Sequence, residues 1–245
     1  MLRKRPEHLY TDNKYCPGCG HGIINRLVAE VLEEMGEHRN VICSCSVGCG
    51  GLILLTYGCD MIQAQHGRAA AVAVGIKRSR PDAMVFSYQG DGDALAIGLS
   101  ETLYAAIRND NITVVFVNNG VFGMTGGQMA PTTLSGQKTT TSPGGRDVKM
   151  TGEPVNIIEL LRTLNIGYLA RGSVISVPEI NKTKKYIRNA FEAQKNKEGY
   201  SLVEVLSPCP TNWHMPPLQS LEHIKENVMQ VYPLGEFANR RGIHD

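Results

Sequence analysis

The chain has 245 residues, 42% hydrophobic and 20% charged, so it is long enough for a full core and too apolar for a disordered chain. Lys and Arg number 25 against 23 Asp and Glu, and they are scattered, which excludes a basic nucleic-acid footprint. No apolar run approaches the ~20 residues that span a bilayer, and the charged start Met1-Leu-Arg-Lys-Arg5 lacks the apolar stretch of a secretory signal, so the expected compartment is the cytoplasm.

Residues 1–15 read as an extended arm and Cys16-Pro-Gly-Cys-Gly-His-Gly22 as a tight turn. Ile24, Leu27, Val28, Val31, Leu32 and Met35 recur at helical spacing, and Gly36 supplies a stop. Asn40–Cys45 is a short apolar strand, Ser46–Gly51 a glycine-rich irregular loop, and Gly67–Lys77 an Ala-rich helix. Ala83–Tyr88 is a buried strand, after which Gly90-Asp-Gly-Asp93 opens a helix running to about Arg108. Ile112–Val117 is the clearest strand, β-branched and apolar. The segment 119–152 is a long Gly/Thr/Ser/Pro loop, of a length that inside a compact domain signals function or disorder. Beyond it lie a helix (Ile157–Leu164), a strand (Tyr168–Arg171), a helix opened by proline (Pro178–Lys195), a strand (Ser201–Leu206), the turn Ser207-Pro-Cys-Pro210 and a last helix (Leu221–Met229). From about residue 213 the chain reads as a C-terminal extension whose tail docks on a partner. The alternation of strands and helices predicts one α/β domain over 1–245, a mostly parallel sheet with helices on both faces.

Ligands of open α/β sheets bind beyond the carboxyl ends of the strands. Gly90-Asp91-Gly92 sits at such an end, where a helix N-terminus favours phosphate. Asp91 itself repels a phosphate, so the combination makes chemical sense with Mg²⁺ between the two. The next strand ends in Asn118-Asn119-Gly-Val121, where an amide oxygen and a carbonyl could complete an octahedron. Asp91 and Asn119 are 28 positions apart, as one strand–helix–strand crossover requires. A bare turn followed by an Asn-Gly turn is the alternative for the same residues. No Gly-x-Gly-x-x-Gly follows the first strand, which disfavours a Rossmann dinucleotide site.

Gly90-Asp-Gly with Asn118-Asn119 resembles the Mg²⁺–diphosphate motif of thiamine diphosphate enzymes. That resemblance implies that Asp91, the Asn119 side chain and the Val121 carbonyl hold the metal.

Seven cysteines in a reducing compartment read as thiols or metal ligands. Cys16-x-x-Cys19 is half of a chelate, with Cys43, Cys45, Cys49, Cys59 and Cys209 as candidates for the rest. Cys43 and Cys59 lie in apolar segments and read as inert buried thiols; Cys45, at a strand end, is ambiguous; Cys209, between prolines, reads as part of a rigid exposed turn. Cysteine counting leaves structural zinc and an iron–sulfur cluster both open.

The motif Cys16-Pro-Gly-Cys-Gly-His is similar to the start of the β subunit of 2-oxoacid:ferredoxin oxidoreductases, a resemblance that extends from about Tyr15 to Asn212. It implies a [4Fe-4S] cluster on Cys16, Cys19, Cys49 and Cys209. It places Val47, Gly48, Cys49, Gly50, His66, Gly67, Arg68, Gly90, Gly92, Asp93, Gly123, Met124 and Thr125 around thiamine diphosphate. Taken alone, His66 would be a satisfied polar residue or a cap, Arg68 a solvated or ion-paired one and Met124 plain packing. The implied activity is coenzyme A-dependent oxidative decarboxylation of a 2-oxoacid, with one-electron transfers through the cluster to ferredoxin; a cluster-free thiamine decarboxylase or synthase subunit is the alternative. The glutamate that activates thiamine has no place in this chain, so an obligate α subunit is expected to supply it, with γ and ferredoxin-like δ subunits as further candidates. The loop Gln128-Met-Ala-Pro-Thr-Thr133 looks most like the 2-oxoglutarate and branched-chain groups, with 2-oxoglutarate slightly ahead. Arg146 is the loop cation weighed as a clamp for a distal carboxylate.

Overall fold

The computed structural model describes residues 4–37 and 39–240. In α1 (His21–Glu34) the apolar residues read at helical spacing are buried, and Gly36, at φ 73°, takes the left-handed conformation that ends the helix. After β1 (Val41–Cys45) a 3-10 turn, Cys49–Leu55, leads to the short strand β2 (Asp60–Gln63). Next come α2 (Ala69–Ser79), β3 (Met84–Gly90), a π-helical turn at Gly92–Ile97, α3 (Leu99–Ile107) and β4 (Thr113–Asn118). The long loop carries the small hairpin β5 (Val121–Phe122) and β6 (Gln128–Met129), then α4 (Val148–Thr151). It is followed by α5 (Ile157–Leu161), β7 (Tyr168–Ser173), α6 (Val177–Lys195) and β8 (Ser201–Leu206). Short helices α7 (Pro210–Trp213), α8 (Pro217–His223) and α9 (Met229–Val231) precede β9 (Gly235–Asn239).

Seven strands form one sheet in the order β2-β1-β3-β4-β8-β7-β9, parallel throughout except for β9, which runs antiparallel to β7. Its central strands are buried on both faces, which explains their unbroken apolar runs. Successive residues of β4 alternate between two cores: Val115 and Val117 pack with α1 and α6, Val114 and Phe116 with α2, α3 and α5. The chain is thus the α/β domain that its alternation predicts.

Three elements differ from the sequence reading. The helix expected from Gly90 to Arg108 opens as a π-helical turn, breaks at Gly98 and resumes as α3. β2 escaped notice because it is an exposed edge strand whose residues show no apolar alternation. β9, in the C-terminal extension, was not expected as a strand: it covers the edge of β7, while Ile224, Val228 and Tyr232 share a small core with Leu134 and Leu206, and the end of the tail expected to dock on a partner, residues 241–245, lies outside the described residues. Among the described residues no helix is long and apolar enough to cross a membrane.

Candidate functional site

The chain passes from β2 on one flank of β1 to β3 on the other, so the crevice of this sheet opens at the carboxyl ends of β1 and β3. The neighbouring strands β4 and β8 end at the same edge. Their loops bring together Val47–Gly50, Gly90–Asp93, Asn119–Thr125 and the turn that holds Cys209. They border an open cleft, lined by Val47, Gly48, Cys49, Gly50, His66, Gly90, Asp91, Gly92, Asp93, Asn119, Val121, Gly123, Met124 and Thr125. His21 and Phe122 also line it, although the sequence reading gave neither a role. The signals were present: His21 closes the cysteine motif, and Phe122 sits between Val121 and Gly123. Gly67 and Arg68 lie outside the lining.

Asp91 is buried and held from three sides. Its Oδ1 accepts the Gly92 N–H at 2.8 Å, and its Oδ2 accepts the Gly120 N–H at 2.6 Å and the Thr132 hydroxyl at 2.5 Å. Burial nevertheless pushes the carboxyl up from 3.8 to about 6, because these donors do not replace the lost water or supply a counter-charge. Across the cleft Asn119 Oδ1 accepts only the Val121 N–H, at 3.2 Å, and retains a lone pair. The Asn119 carbonyl accepts the indole N–H of Trp213, the single tryptophan, at 3.1 Å. A buried carboxylate lacking a cation, opposite an amide oxygen with spare capacity, is a donor set suited to a hard divalent ion.

Asp93 points away from Asp91 and fastens the neighbouring loop. Its Oδ1 lies 2.6 Å from His66 Nδ1 and accepts the Gly67 N–H at 2.7 Å, while its Oδ2 accepts from Gln89 at 2.7 Å. His66 is thereby fixed at the cleft, edge-on to Phe122. Arg68 turns outward to Glu101 at 2.6 Å, the ion-paired arrangement weighed for it above. Gly92 lies under the Phe122 ring: a Cβ there would stand 2.3 Å from the ring edge. Gly92→Ala should therefore displace Phe122 and destabilise the chain by roughly 1–3 kcal/mol, as overpacking does. A urea melt superimposable on the parent would show that the ring yields at no cost.

Four of the seven thiols form a set. Burial pushes Cys19 up to about 12, and Cys209, Cys49 and Cys16 add to the rise. Cys49 goes to about 11, through burial and then through Cys209, Cys16 and Asp91. Cys209 is raised by burial, with Asp91 and Cys16 contributing. Each of the four thus lies within electrostatic reach of the other three, and two of them reach Asp91. Among the described residues, however, no three His, Cys, Asp or Glu side chains converge closely enough for a single metal ion. Cys16 is exposed, whereas Cys209 is buried, contrary to the exposed turn expected for it; its thiol accepts from Asn212 Nδ2 at 3.3 Å. Cys43 and Cys45 are buried on β1 and Cys59 is half-buried; burial and then Cys59 and Cys45 raise Cys43, so these three form a separate group.

Arg146 does not reach the cleft. It is buried and donates to backbone carbonyls of Ala130, Pro131, Thr133, Thr151, Gly152 and Glu153, which organises the long loop from within. Among the described residues, the cleft lining contains no lysine, arginine or glutamate.

The family described as thiamine pyrophosphate enzyme, C-terminal TPP binding domain, matches residues 52–205. The ketoisovalerate oxidoreductase subunit VorA of Methanothermobacter thermautotrophicus is 43% identical over 231 residues, covering 94% of this chain and 48% of that protein. The chain thus spans about half the length of the VorA relatives it matches. The 2-oxoglutarate synthase subunit KorB of Archaeoglobus fulgidus is 37% identical over 213 residues, covering 87% of this chain and 76% of that protein. Among solved structures, the 2-oxoglutarate:ferredoxin oxidoreductase of Magnetococcus marinus superposes with a TM-score of 0.71 at 29% identity, over 86% of this chain and 70% of that one. The strand-end geometry and these relatives agree: the chain belongs to the thiamine diphosphate-binding β-subunit family of the 2-oxoacid:ferredoxin oxidoreductases.

Proposed function

We propose that the chain is the thiamine diphosphate- and [4Fe-4S]-binding β subunit of a cytoplasmic enzyme that oxidatively decarboxylates a 2-oxoacid to its acyl-coenzyme A and reduces ferredoxin. One observation carries the reading: the Asp91–Asn119 pair and the four mutually sensed thiols share one edge of one sheet. Asp91, the Asn119 amide oxygen and the Val121 carbonyl would hold Mg²⁺, with His66 and the loops Val47–Gly50 and Gly123–Thr125 around the cofactor. Cys16, Cys19, Cys49 and Cys209 would hold the cluster. When bound, thiamine diphosphate supplies the electron sink for decarboxylation and the cluster a one-electron acceptor.

The cleft offers no glutamate, which supports an obligate α subunit that completes it. Two observations also favour 3-methyl-2-oxobutanoate over 2-oxoglutarate, reversing the order taken from the sequence. Arg146 is engaged with backbone carbonyls, and among the described residues the cleft lining holds no lysine or arginine to meet a second carboxylate. The VorA relatives are also more similar than the KorB ones, 43% against 37% identical.

The test is anaerobic purification with the α subunit, followed by metal and sulfide analysis. About four iron and four sulfide per chain are expected, with a visible absorption bleached by 3-methyl-2-oxobutanoate plus coenzyme A and more slowly by 2-oxoglutarate. A colourless protein containing zinc or no metal would defeat the electron-transfer reading and leave a thiamine decarboxylase. Faster bleaching by 2-oxoglutarate would reverse the substrate order.

A further inference from the structure

The Pro131-Thr132-Thr133 turn of the long loop lies beside the two ligand-bearing loops and has no role in the function proposed above. Both threonines are buried, and both hydroxyls point to strand-end loops. Thr132 Oγ1 donates to Asp91 Oδ2 at 2.5 Å, and Thr133 Oγ1 donates to the Gly120 carbonyl at 2.6 Å. Gly120 in turn gives its N–H to the same Asp91 oxygen at 2.6 Å. The two hydroxyls therefore clip the end of β3 to the end of β4, with one carboxylate oxygen at the junction. Asp91 Oδ2 is occupied twice, while Oδ1 has a single backbone donor, so the clip also fixes which oxygen faces the cleft.

The clip is itself anchored by chain far from it in sequence. Arg146 Nη1 donates to the Thr133 carbonyl at 2.8 Å. Tyr232, in the C-terminal extension, donates its hydroxyl to the Thr132 carbonyl at 3.0 Å. Free rotation of a buried carboxylate costs a metal site its pre-formed geometry, and the partners of ligating carboxylates oppose it.

We infer that Thr132 and Thr133 are positioning residues for the metal ligand Asp91, and that Tyr232 acts on the metal through Thr132. The inference rests on the proposed thiamine diphosphate–Mg²⁺ site and assigns that site a support the sequence did not reveal. Neither threonine nor the tyrosine touches the metal.

The test uses the full chain purified with its α subunit, stripped of cofactor, and titrated with Mg²⁺ at saturating thiamine diphosphate. Calorimetry reads the Mg²⁺ concentration that half-saturates binding. Thr132→Val, which keeps shape and loses the donor, should raise that concentration about tenfold or more, and Thr132→Ser should restore it to within about twofold. Tyr232→Phe should raise it by roughly severalfold, since it loosens the clip without removing it. A Thr132→Val complex with unchanged half-saturation would overturn the inference. Should that variant not fold, Tyr232→Phe decides alone, and an unchanged value there overturns it equally. A parent complex that binds no thiamine diphosphate in the presence of Mg²⁺ would instead bring down the proposed site, and this inference with it.

Discussion

Asp91→Asn should abolish Mg²⁺-dependent thiamine diphosphate binding and remove the gain in stability that the metal-free parent shows as pH falls. The substitution keeps volume and removes the charge from a site where the carboxylate is buried and held by three donors. Partners one bond removed from a metal commonly cost 10–100-fold in affinity, so loss of the ligand charge itself should exceed about a hundredfold. Stability should report the lost titration. Burial raises the Asp91 carboxyl to about 6 in the metal-free fold, above its ordinary 3.8. A folded-state value above the unfolded one means that the native chain binds the extra proton, so the parent should gain stability as pH falls through about 6 towards 4. The amide does not titrate, although its NH2 leaves one of the two backbone N–H donors unpaired at about 1–3 kcal/mol at every pH. Urea melts of metal-free parent and variant at pH 7.5 and 5 check both points. A variant that gains as much stability at pH 5 as the parent would show that Asp91 is not the titrating group.

Arg171→Met should cost about 3–5 kcal/mol, the penalty for removing one member of a buried ion pair. Arg171 and Glu204 lie side by side on β7 and β8, fully buried, with Nε 2.7 Å from Oε2. Their remaining capacity is filled. Arg171 donates to Asn156 Oδ1 at 2.6 Å and to the Pro233 carbonyl at 3.2 Å, and its guanidinium lies 5.1 Å from the centre of the Tyr232 ring. Glu204 Oε1 accepts from Asn118 Nδ2 at 2.7 Å. Loss of the cation leaves a carboxylate in the sheet with one neutral donor. Because Asn118 precedes Asn119, which lines the cleft, the damage should extend there. Chemical denaturation of the full chain reads the effect; a loss below about 1 kcal/mol would mean that Glu204 finds another partner. In Arg171→Met/Glu204→Gln part of the loss should return, because no unpaired charge then remains.

Strands buried on both faces were legible in the sequence because burial leaves an unbroken apolar run. The expected Ile112–Val117 and the observed β4 (Thr113–Asn118) differ by one residue at each end. Cys43 was legible as a buried thiol from its apolar strand, whereas Cys209 read as part of an exposed turn and is buried, because the packing around it comes from distant chain. What stayed hidden was long-range. Nothing near Thr132 announces Asp91, 41 positions earlier, or Tyr232, 100 positions later. Arg146 read as a surface loop cation, because its six carbonyl partners come from backbone, which carries no side-chain signature. β9 was unreadable for a similar reason: a half-exposed edge strand needs only one neighbour.

The place of β8 in the sheet sets an order of assembly. It lies between β4 and β7, yet it leaves the ribosome after both, and Thr113 must wait for Ser201 before the two halves of the sheet join. Until then β4 presents an open edge with an apolar centre, Val114–Val117, the kind that pairs with other chains. Parallel pairing across such a separation is slow, so the nascent chain should depend on chaperones during this interval. Cys209 follows β8, so the four thiols coexist only after β8 has been synthesised. A chain truncated before residue 201 should accumulate as aggregate rather than as a folded domain.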